Sequence, residues 1–228
     1  MAQTNKKTFR YERKFKIENA SDINLEEIIL NNPGFFSEIY QERYIHNIYL
    51  DTEEYKFFQE NINGISQRKK IRIRWYGKKY GYIQPTLEIK EKSGQVGTKY
   101  VFDLPKVILD PKISRYKLKD ILKKSNLSKS LESDLNSLNL TLMNSYKRKY
   151  YLSLNKKIRL TLDTDLKYFQ VCNLNSMGPY EVKDPSNIIE LKYLNTDDFF
   201  ASEISNHLPF RMTKSSKYID GIKLLKNI

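Results

Sequence analysis

The strongest constraint on the fold of this chain is a two-residue alternation of charge that recurs along most of its length. At residues 70–77, "KIRIRWYG", Lys70, Arg72 and Arg74 fall on one side of an extended backbone, and Ile71, Ile73 and Trp75 on the other. Arg68 extends the basic side by one more position. In "FRYERKFKI", Arg10, Glu12, Lys14 and Lys16 oppose Phe9, Tyr11, Phe15 and Ile17. In "TLEIKEK", Glu88, Lys90 and Lys92 oppose Leu87 and Ile89. Arg148 lies with Tyr146 and Tyr150 in "SYKRKYYLSL". Arg159, Thr161, Asp163 and Asp165 oppose Ile158, Leu160 and Leu162 in "IRLTLDTD". Glu190 and Lys192 oppose Ile189, Leu191 and Tyr193 in "IIELKY". Such a chain is built of strands with one apolar and one charged face.

The pattern predicts strands over 9–17, 44–50, 67–76, 85–92, 98–104, 145–154, 158–165 and 188–193, with 167–171 extending or following the seventh. Helices are expected over 25–31 after the cap candidates Ser21 and Asp22, and over 53–61 after Asp51 or Thr52. Two more are expected over 197–206 and 216–225, and residues 112–142 read as two short amphipathic helices joining two sets of strands. Short turns between about eight strands predict an α+β fold with an antiparallel barrel or sandwich. No linker divides the 228 residues, so 1–228 reads as one domain with a tail at 1–7.

The charged face has two readings. It lies in water, as one face of many antiparallel sheets does, or it is held over an anion. Two features favour the anion. The face is rich in Arg, whose planar fork suits phosphate. It also carries Glu12, Glu88, Asp163 and Glu190, oxygen donors of the kind Mg²⁺ or Mn²⁺ takes beside substrate phosphates. If the sheet closes with its charged faces inward, the interior is a basic tunnel wide enough for one slender ligand. Crowded cations in such a space need an anion. A chain of phosphates fits.

The net charge of +13 agrees with an anionic partner but does not choose among nucleic acid, phosphorylated metabolites and an acidic membrane. The large aromatics side with the apolar face, which argues against the stacking platforms of a single-strand nucleic-acid binder. No apolar run approaches a membrane span, and the N-terminal residues lack an apolar leader. The single Cys172 excludes an internal disulfide and suits a reducing cytosol. With that cysteine, His46 and His207 make no metal-ligand spacing.

"RYERKF", "KIRIRWYG", "LEIKEK", "YKRKYY", "IRLTLD", "IIELKY" and "SKYIDGI" occur in that order. Together they resemble the VTC-type polyphosphate polymerase domain of the CYTH-like triphosphate tunnel metalloenzymes. The resemblance implies a closed eight-stranded antiparallel barrel with flanking helices, which binds triphosphate with Mn²⁺ or Mg²⁺ and moves the γ-phosphate of ATP onto polyphosphate. It implies catalytic roles for Lys14, Arg72, Arg74, Arg148 and Arg159. It implies phosphate binding by Lys90, Lys99, Lys192 and Lys217, with Arg10, Arg68 and Lys70 on the same faces. Glu190 is the implied metal ligand, with Glu12 or Glu88 beside it. The R-x-E-x-K opening departs from the E-x-E-x-K of many triphosphatases of the superfamily, which favours the polymerase branch.

ATP, pyrophosphate and polyphosphate are therefore the expected ligands. Eukaryotic members work beside membrane-embedded partners, so a membrane partner is a further expectation. Two alternatives stay open: a triphosphatase, and a polyanion-binding module that keeps the arginines without needing the metal.

Overall fold

The computed structural model describes residues 10–18, 20–94, 96–111, 115–171 and 180–227. Phe9, Cys172 and the tail at 1–7 lie outside them. In chain order the elements are β1 (Arg10–Ile17), α1 (Asp22–Leu30), β2 (Ser37–Asp51), α2 (Lys56–Ile62), β3 (Gln67–Tyr76), β4 (Gly81–Ile83), β5 (Thr86–Ser93), β6 (Val96–Asp103) and β7 (Val107–Leu109). There follow α3 (Arg115–Lys123), α4 (Lys129–Asn136), β8 (Asn139–Leu152), β9 (Arg159–Gln170), β10 (Glu181–Asp184), β11 (Asn187–Leu194), a short 3₁₀ turn (Asn195–Asp197), α5 (Asp198–Asn206) and α6 (Lys217–Lys226).

The large sheet is antiparallel throughout, in the order β1-β11-β9-β8-β2-β3-β5-β6, with β10 a further strand on β9. The period-two pattern places β3 to the residue. It places β2 and β8 too short, because residues 37–43 are mostly exposed and carry no burial alternation. Residues 139–144 belong to β8 rather than to the connector. The short strands β4, β7 and β10 escape a periodicity argument for want of length.

The apolar parity packs outward against the helices. Phe15, Leu160, Leu162, Ile189 and Leu191 form one cluster with Leu25 and Ile29 of α1 and Ala201 and Ile204 of α5. Ile71, Ile73, Leu87 and Ile89 form another with Leu118, Ile121 and Leu122 of α3 and Leu135 of α4. Between them Trp75, Ile48, Met143 and Phe169 meet Ile83 and Leu109 of the small β4–β7 sheet. Burial of this kind stabilises by roughly 1.5–3 kcal/mol per large side chain.

α6 packs on the opposite, charged face. Its Tyr218 and Ile222 join Tyr49, Leu142 and Tyr168, together with Phe58 of α2. Helix α2 begins later than expected, at Lys56 after Tyr55 in a left-handed conformation. The Asp51 carboxylate still serves its N-terminus, accepting from the backbone N–H of Phe57 at 2.8 Å and of Phe58 at 2.9 Å, and from the Tyr218 hydroxyl at 2.5 Å.

Among the described residues β1 and β6 share no ladder, so hydrogen bonding does not close the eight strands into a ring. The free edge of β1 has another partner. The Thr213 N–H donates to the Lys14 carbonyl at 2.7 Å, and the Lys16 N–H donates to the Thr213 hydroxyl at 3.0 Å. The sheet is nonetheless curled. Lys90 of β5 feels the charges of Glu12 on β1 and of Glu190 and Lys192 on β11, strands far from it in the sheet order.

Candidate phosphate site on the concave face

The concave face gathers the charged parity of the strands. On β3, Arg72 and Arg74 point inward. Both guanidinium nitrogens of Arg72 that reach Glu88 do so closely, Nε at 2.7 Å and Nη2 at 2.5 Å, while Nη1 donates to the Tyr49 hydroxyl at 3.4 Å. Lys99 of β6 takes the other Glu88 oxygen at 2.6 Å, and Arg74 stands 3.6 Å from it. Arg74 donates to Asn47 at 2.8 Å and to the Tyr146 hydroxyl at 3.2 Å. Asn47 in turn donates to Asn144 at 2.8 Å.

A second group centres on Asp163, which is fully buried. Arg148 binds it through Nε and, at 2.6 Å, through Nη2; Lys217 at the start of α6 binds it at 2.5 Å. Arg148 and Lys217 both lie over the Tyr146 ring. A third group lies on β1 and β11. Lys192 reaches Glu190 at 3.0 Å and Glu12 at 4.0 Å, Lys14 reaches Glu12 at 3.7 Å, and Arg148 approaches Glu190 at 3.9 Å. Lys14 and Lys70 are tied to the segment before α6, to the Ser215 carbonyl at 3.3 Å and the Ser216 hydroxyl at 2.9 Å.

The electrostatics follow from burial and from an excess of cations. Burial opposes the charge of Glu190, Asp163 and Glu88, yet adjacent cations hold all three below the usual carboxylate range. Lys192, Lys14, Arg148 and Lys217 do so for Glu190; Arg148 and Lys217 for Asp163; Arg72, Arg74 and Lys99 for Glu88. Three lysines go the other way, and burial is the largest cause for each: Lys99, lowered even beside Glu88, Lys90 and Lys70. Burial, then Arg72 and Lys192, bring Lys90 down to about 7 against the pull of Glu12 and Glu190. Burial, then Lys14, Arg68 and Arg72, bring Lys70 down to about 8. Burial pushes the Tyr146 phenol up, but Arg148 and Arg74 outweigh it and bring it to about 8. These are the marks of a site with more positive charge than its own carboxylates neutralise.

Most of the residues expected from the sequence thus converge: Lys14, Lys70, Arg72, Arg74, Lys90, Lys99, Arg148, Lys192, Lys217, Glu12, Glu88 and Glu190. Others do not. Arg159 has the right parity but is exposed at the start of β9, beside Lys192 in register. Arg68 turns to the preceding turn, where Nη1 donates to the Ile65 carbonyl at 3.0 Å. Whether Arg10 joins the cluster lies outside the described residues, which include only its backbone, opposite Leu194 at the start of β1. Asp165 leaves the concave face. It sits at a β-bulge with φ +50°, and accepts from Tyr44 on the convex side.

Both oxygens of Glu88, expected beside Glu190 and Glu12 as a metal ligand, are taken here by Arg72 and Lys99, and no three His, Cys, Asp or Glu side chains converge among the described residues. The pair Glu190 and Glu12 does fit Mg²⁺ or Mn²⁺, which binds through one or two carboxylates and completes its shell with substrate phosphates and water. Both reach the same lysine.

At the start of α6 the N-cap residue Ser216 makes no side-chain cap; the Asp220 carboxylate accepts from the Ser216 N–H at 3.2 Å and from the Ser215 hydroxyl at 2.9 Å. Asn47 and Asn144 escaped the sequence reading. The signal for them was a neutral amide at inward parity inside an apolar run, as in "IHNIYL".

His46 is structural, with Nε2 on the Gly77 carbonyl at 2.9 Å and its pKa lowered by burial. His207 sits on the Glu203 carbonyl of its own helix. Trp75 is core, as its parity predicts.

Residues 9–226 match the family model of the VTC domain. A search of curated protein sequences finds no match. Among solved structures, the chain is similar to the PH1819 protein of Pyrococcus horikoshii OT3, with a TM-score of 0.50 and 14% identity over 96% of this chain and 100% of that one. It is similar to a candidate adenylate cyclase of Vibrio parahaemolyticus, with a TM-score of 0.50 and 11% identity over 93% of this chain and 97% of that one. A Hippeastrum protein, HpAC1, described as having a dominant triphosphatase activity, gives 0.47 and 16% over 91% of this chain and 93% of that one. The ordered motifs, the curled antiparallel sheet with its inward cations and the match over nearly the whole length agree: the chain belongs to the VTC-domain family, with the fold of the CYTH-like triphosphate tunnel proteins.

Proposed function

We propose that the concave face binds a nucleoside triphosphate and transfers its γ-phosphoryl group to the end of a polyphosphate chain. The observation that carries this reading is the gathering of Arg72, Arg74, Lys99, Arg148 and Lys217 on one face around two carboxylates, Glu88 and Asp163; burial and the neighbouring cations hold Lys90 at about 7 and Lys70 at about 8. The same reading closes the curled sheet into a tunnel, with β6 approaching β1 across the cluster, and treats residues 1–228 as one working unit.

Phosphoryl transfer asks a protein mainly for positioning and charge neutralisation. Arg72, Arg74 and Arg148 hold non-bridging oxygens, since each presents a planar fork on the concave face. Glu88 and Asp163 fix those forks in place. Lys14, Lys90, Lys192 and Lys217 add point charges along the phosphate path. Glu190 and Glu12 would hold Mg²⁺ or Mn²⁺, which supplies charge neutralisation on the phosphate oxygens. A terminal oxygen of the acceptor chain attacks the γ-phosphorus, the bond to the β–γ bridging oxygen breaks, and ADP leaves with the electron pair. With water in place of the acceptor the product is free phosphate. The R-x-E-x-K opening at Arg10, Glu12 and Lys14 and the VTC family membership support the polymerase over that second reading.

The test is incubation of purified protein with γ-labelled ATP and Mn²⁺ or Mg²⁺, with products resolved by size. A ladder of labelled polyphosphate, lost in Glu190→Gln and in Arg72→Ala, is expected. Free phosphate alone, lost in the same variants, moves the assignment to a triphosphatase. Triphosphate binding without any metal-dependent product leaves a binding module.

A further inference from the structure

One end of the concave face is lined by aromatic rings. Arg43 of β2 stands opposite Arg148 in register, Tyr40 opposite Tyr150, and Ile45 opposite Tyr76, so all of these share the inward parity. The Arg43 guanidinium carbon lies 4.7 Å from the Tyr76 ring centroid, 4.9 Å from that of Tyr150 and 5.9 Å from that of Tyr40. Its Nε donates to the Tyr150 hydroxyl at 3.3 Å. Tyr40 meets Tyr150 edge to face at 5.7 Å. Tyr40 and Tyr76 leave 59% and 46% of their surface open. The expectation that aromatics avoid the charged face therefore fails at this end.

This collar is continuous with the phosphate cluster. The Arg148 guanidinium carbon is 6.0 Å from the Tyr150 ring, and Arg148 connects to Arg74 through Tyr146. Tyr150 rests on a buried apolar floor of Ile45, Tyr146, Leu166 and Ile188. A further length of phosphate would gain little here, because the collar offers π-faces, apolar carbon and one cation already stacked on three rings. A planar, weakly polar group attached to a phosphate chain would gain at both ends. Tyr faces and a guanidinium plane are what nucleobases stack on.

We infer that Tyr40, Tyr76, Tyr150 and Arg43 form a nucleobase subsite, so that the triphosphate lies base-outward, with its phosphates running from Arg148 and Arg74 toward Lys90 and Glu190. The inference rests on the phosphate reading of the concave face. Stacking uses the π-face that every base has. The subsite therefore favours purines over pyrimidines by area, and discriminates little between adenine and guanine.

The test compares ATP with inorganic tripolyphosphate, titrated separately under one metal and salt condition. The proteins are wild type, Tyr40→Ala/Tyr76→Ala and Tyr40→Phe/Tyr76→Phe. The Ala pair is expected to weaken ATP roughly tenfold relative to tripolyphosphate, the size of a lost base stack, and the Phe pair to retain the wild-type ratio. The fluorescence of 2-aminopurine riboside triphosphate is expected to quench on binding wild type and to recover in the Ala pair. Equal weakening of both ligands, or no change for ATP, overturns the subsite while leaving the phosphate reading in place. Failure of both ligands to bind wild type overturns the phosphate reading and the subsite with it.

Discussion

Binding of triphosphate should drive protons into the protein, and Lys90 should account for most of them. In the free protein Lys90 is held at about 7 by burial and by Arg72 and Lys192, and Lys70 at about 8 by burial and by Lys14, Arg68 and Arg72. At pH 8 these values leave about 0.1 proton on Lys90 and about 0.5 on Lys70. A polyanion beside them restores both toward the ordinary lysine value, so uptake is about 0.9 proton at Lys90 and about 0.5 at Lys70. At pH 6 both are already charged, and uptake falls to about 0.1 proton or less. The sign follows from linkage. The bound state holds more protons above pH 7, so affinity weakens as pH rises, by up to about tenfold per unit for Lys90 alone. Calorimetry of tripolyphosphate binding at pH 8, in buffers of different ionisation enthalpy, counts the protons. The ligand's own titration cancels when wild type is compared with Lys90→Met, which should take up about 0.9 proton fewer. Equal proton numbers in the two proteins would refute the reasoning.

Three further outcomes follow from the same geometry. Lys90 lies below its unfolded value, so its charge costs stability fully below pH 7, and that cost is relieved as pH rises toward the unfolded value; the Tm advantage of ligand-free Lys90→Met over wild type should therefore be larger at pH 6 than at pH 9. Arg72→Ala removes the guanidinium that binds one oxygen of the buried Glu88, whose other oxygen stays with Lys99, and should destabilise by about 1.5–3 kcal/mol in chemical denaturation. A Cβ on Gly221 of α6 would meet Leu142 Cδ2 at 2.7 Å and press on Tyr168; Gly221→Ala should lower Tm despite its better helix propensity, and an unchanged Tm would show that α6 is not seated on the concave face.

Alternation made the site largely legible because a strand with one buried face needs nothing but parity to place its side chains. β3 is the clearest case: Arg72, Arg74 and Trp75 each lie where "KIRIRWYG" puts them. Parity fails where the backbone breaks step. The bulge opposite 145–147 sends Asp165 to the convex face while Asp163 stays inside. Parity also says nothing of depth along a strand, so Arg159 and Arg148 look equivalent in sequence although one is exposed at a strand end and the other buried. Partner choice across the sheet is equally hidden. Glu88 and Glu190 have the same local pattern, yet Arg72 and Lys99 occupy the first, while the second keeps company with Glu12 beside Lys192. The aromatic collar was missed because Tyr40 and Arg43 lie in the part of β2 without alternation.

The central claim is that the curled, cation-rich face is an anion site. Equilibrium binding of tripolyphosphate to wild type and to Arg72→Ala/Glu88→Gln tests it most directly, since the double variant removes the buried guanidinium together with the carboxylate that binds it. Saturable binding to wild type, stronger with Mg²⁺ or Mn²⁺ and at least tenfold weaker in the variant, is the predicted result, the loss expected for a charge-assisted phosphate contact. Equal affinity in the two proteins, or no binding to wild type at low salt, would contradict it.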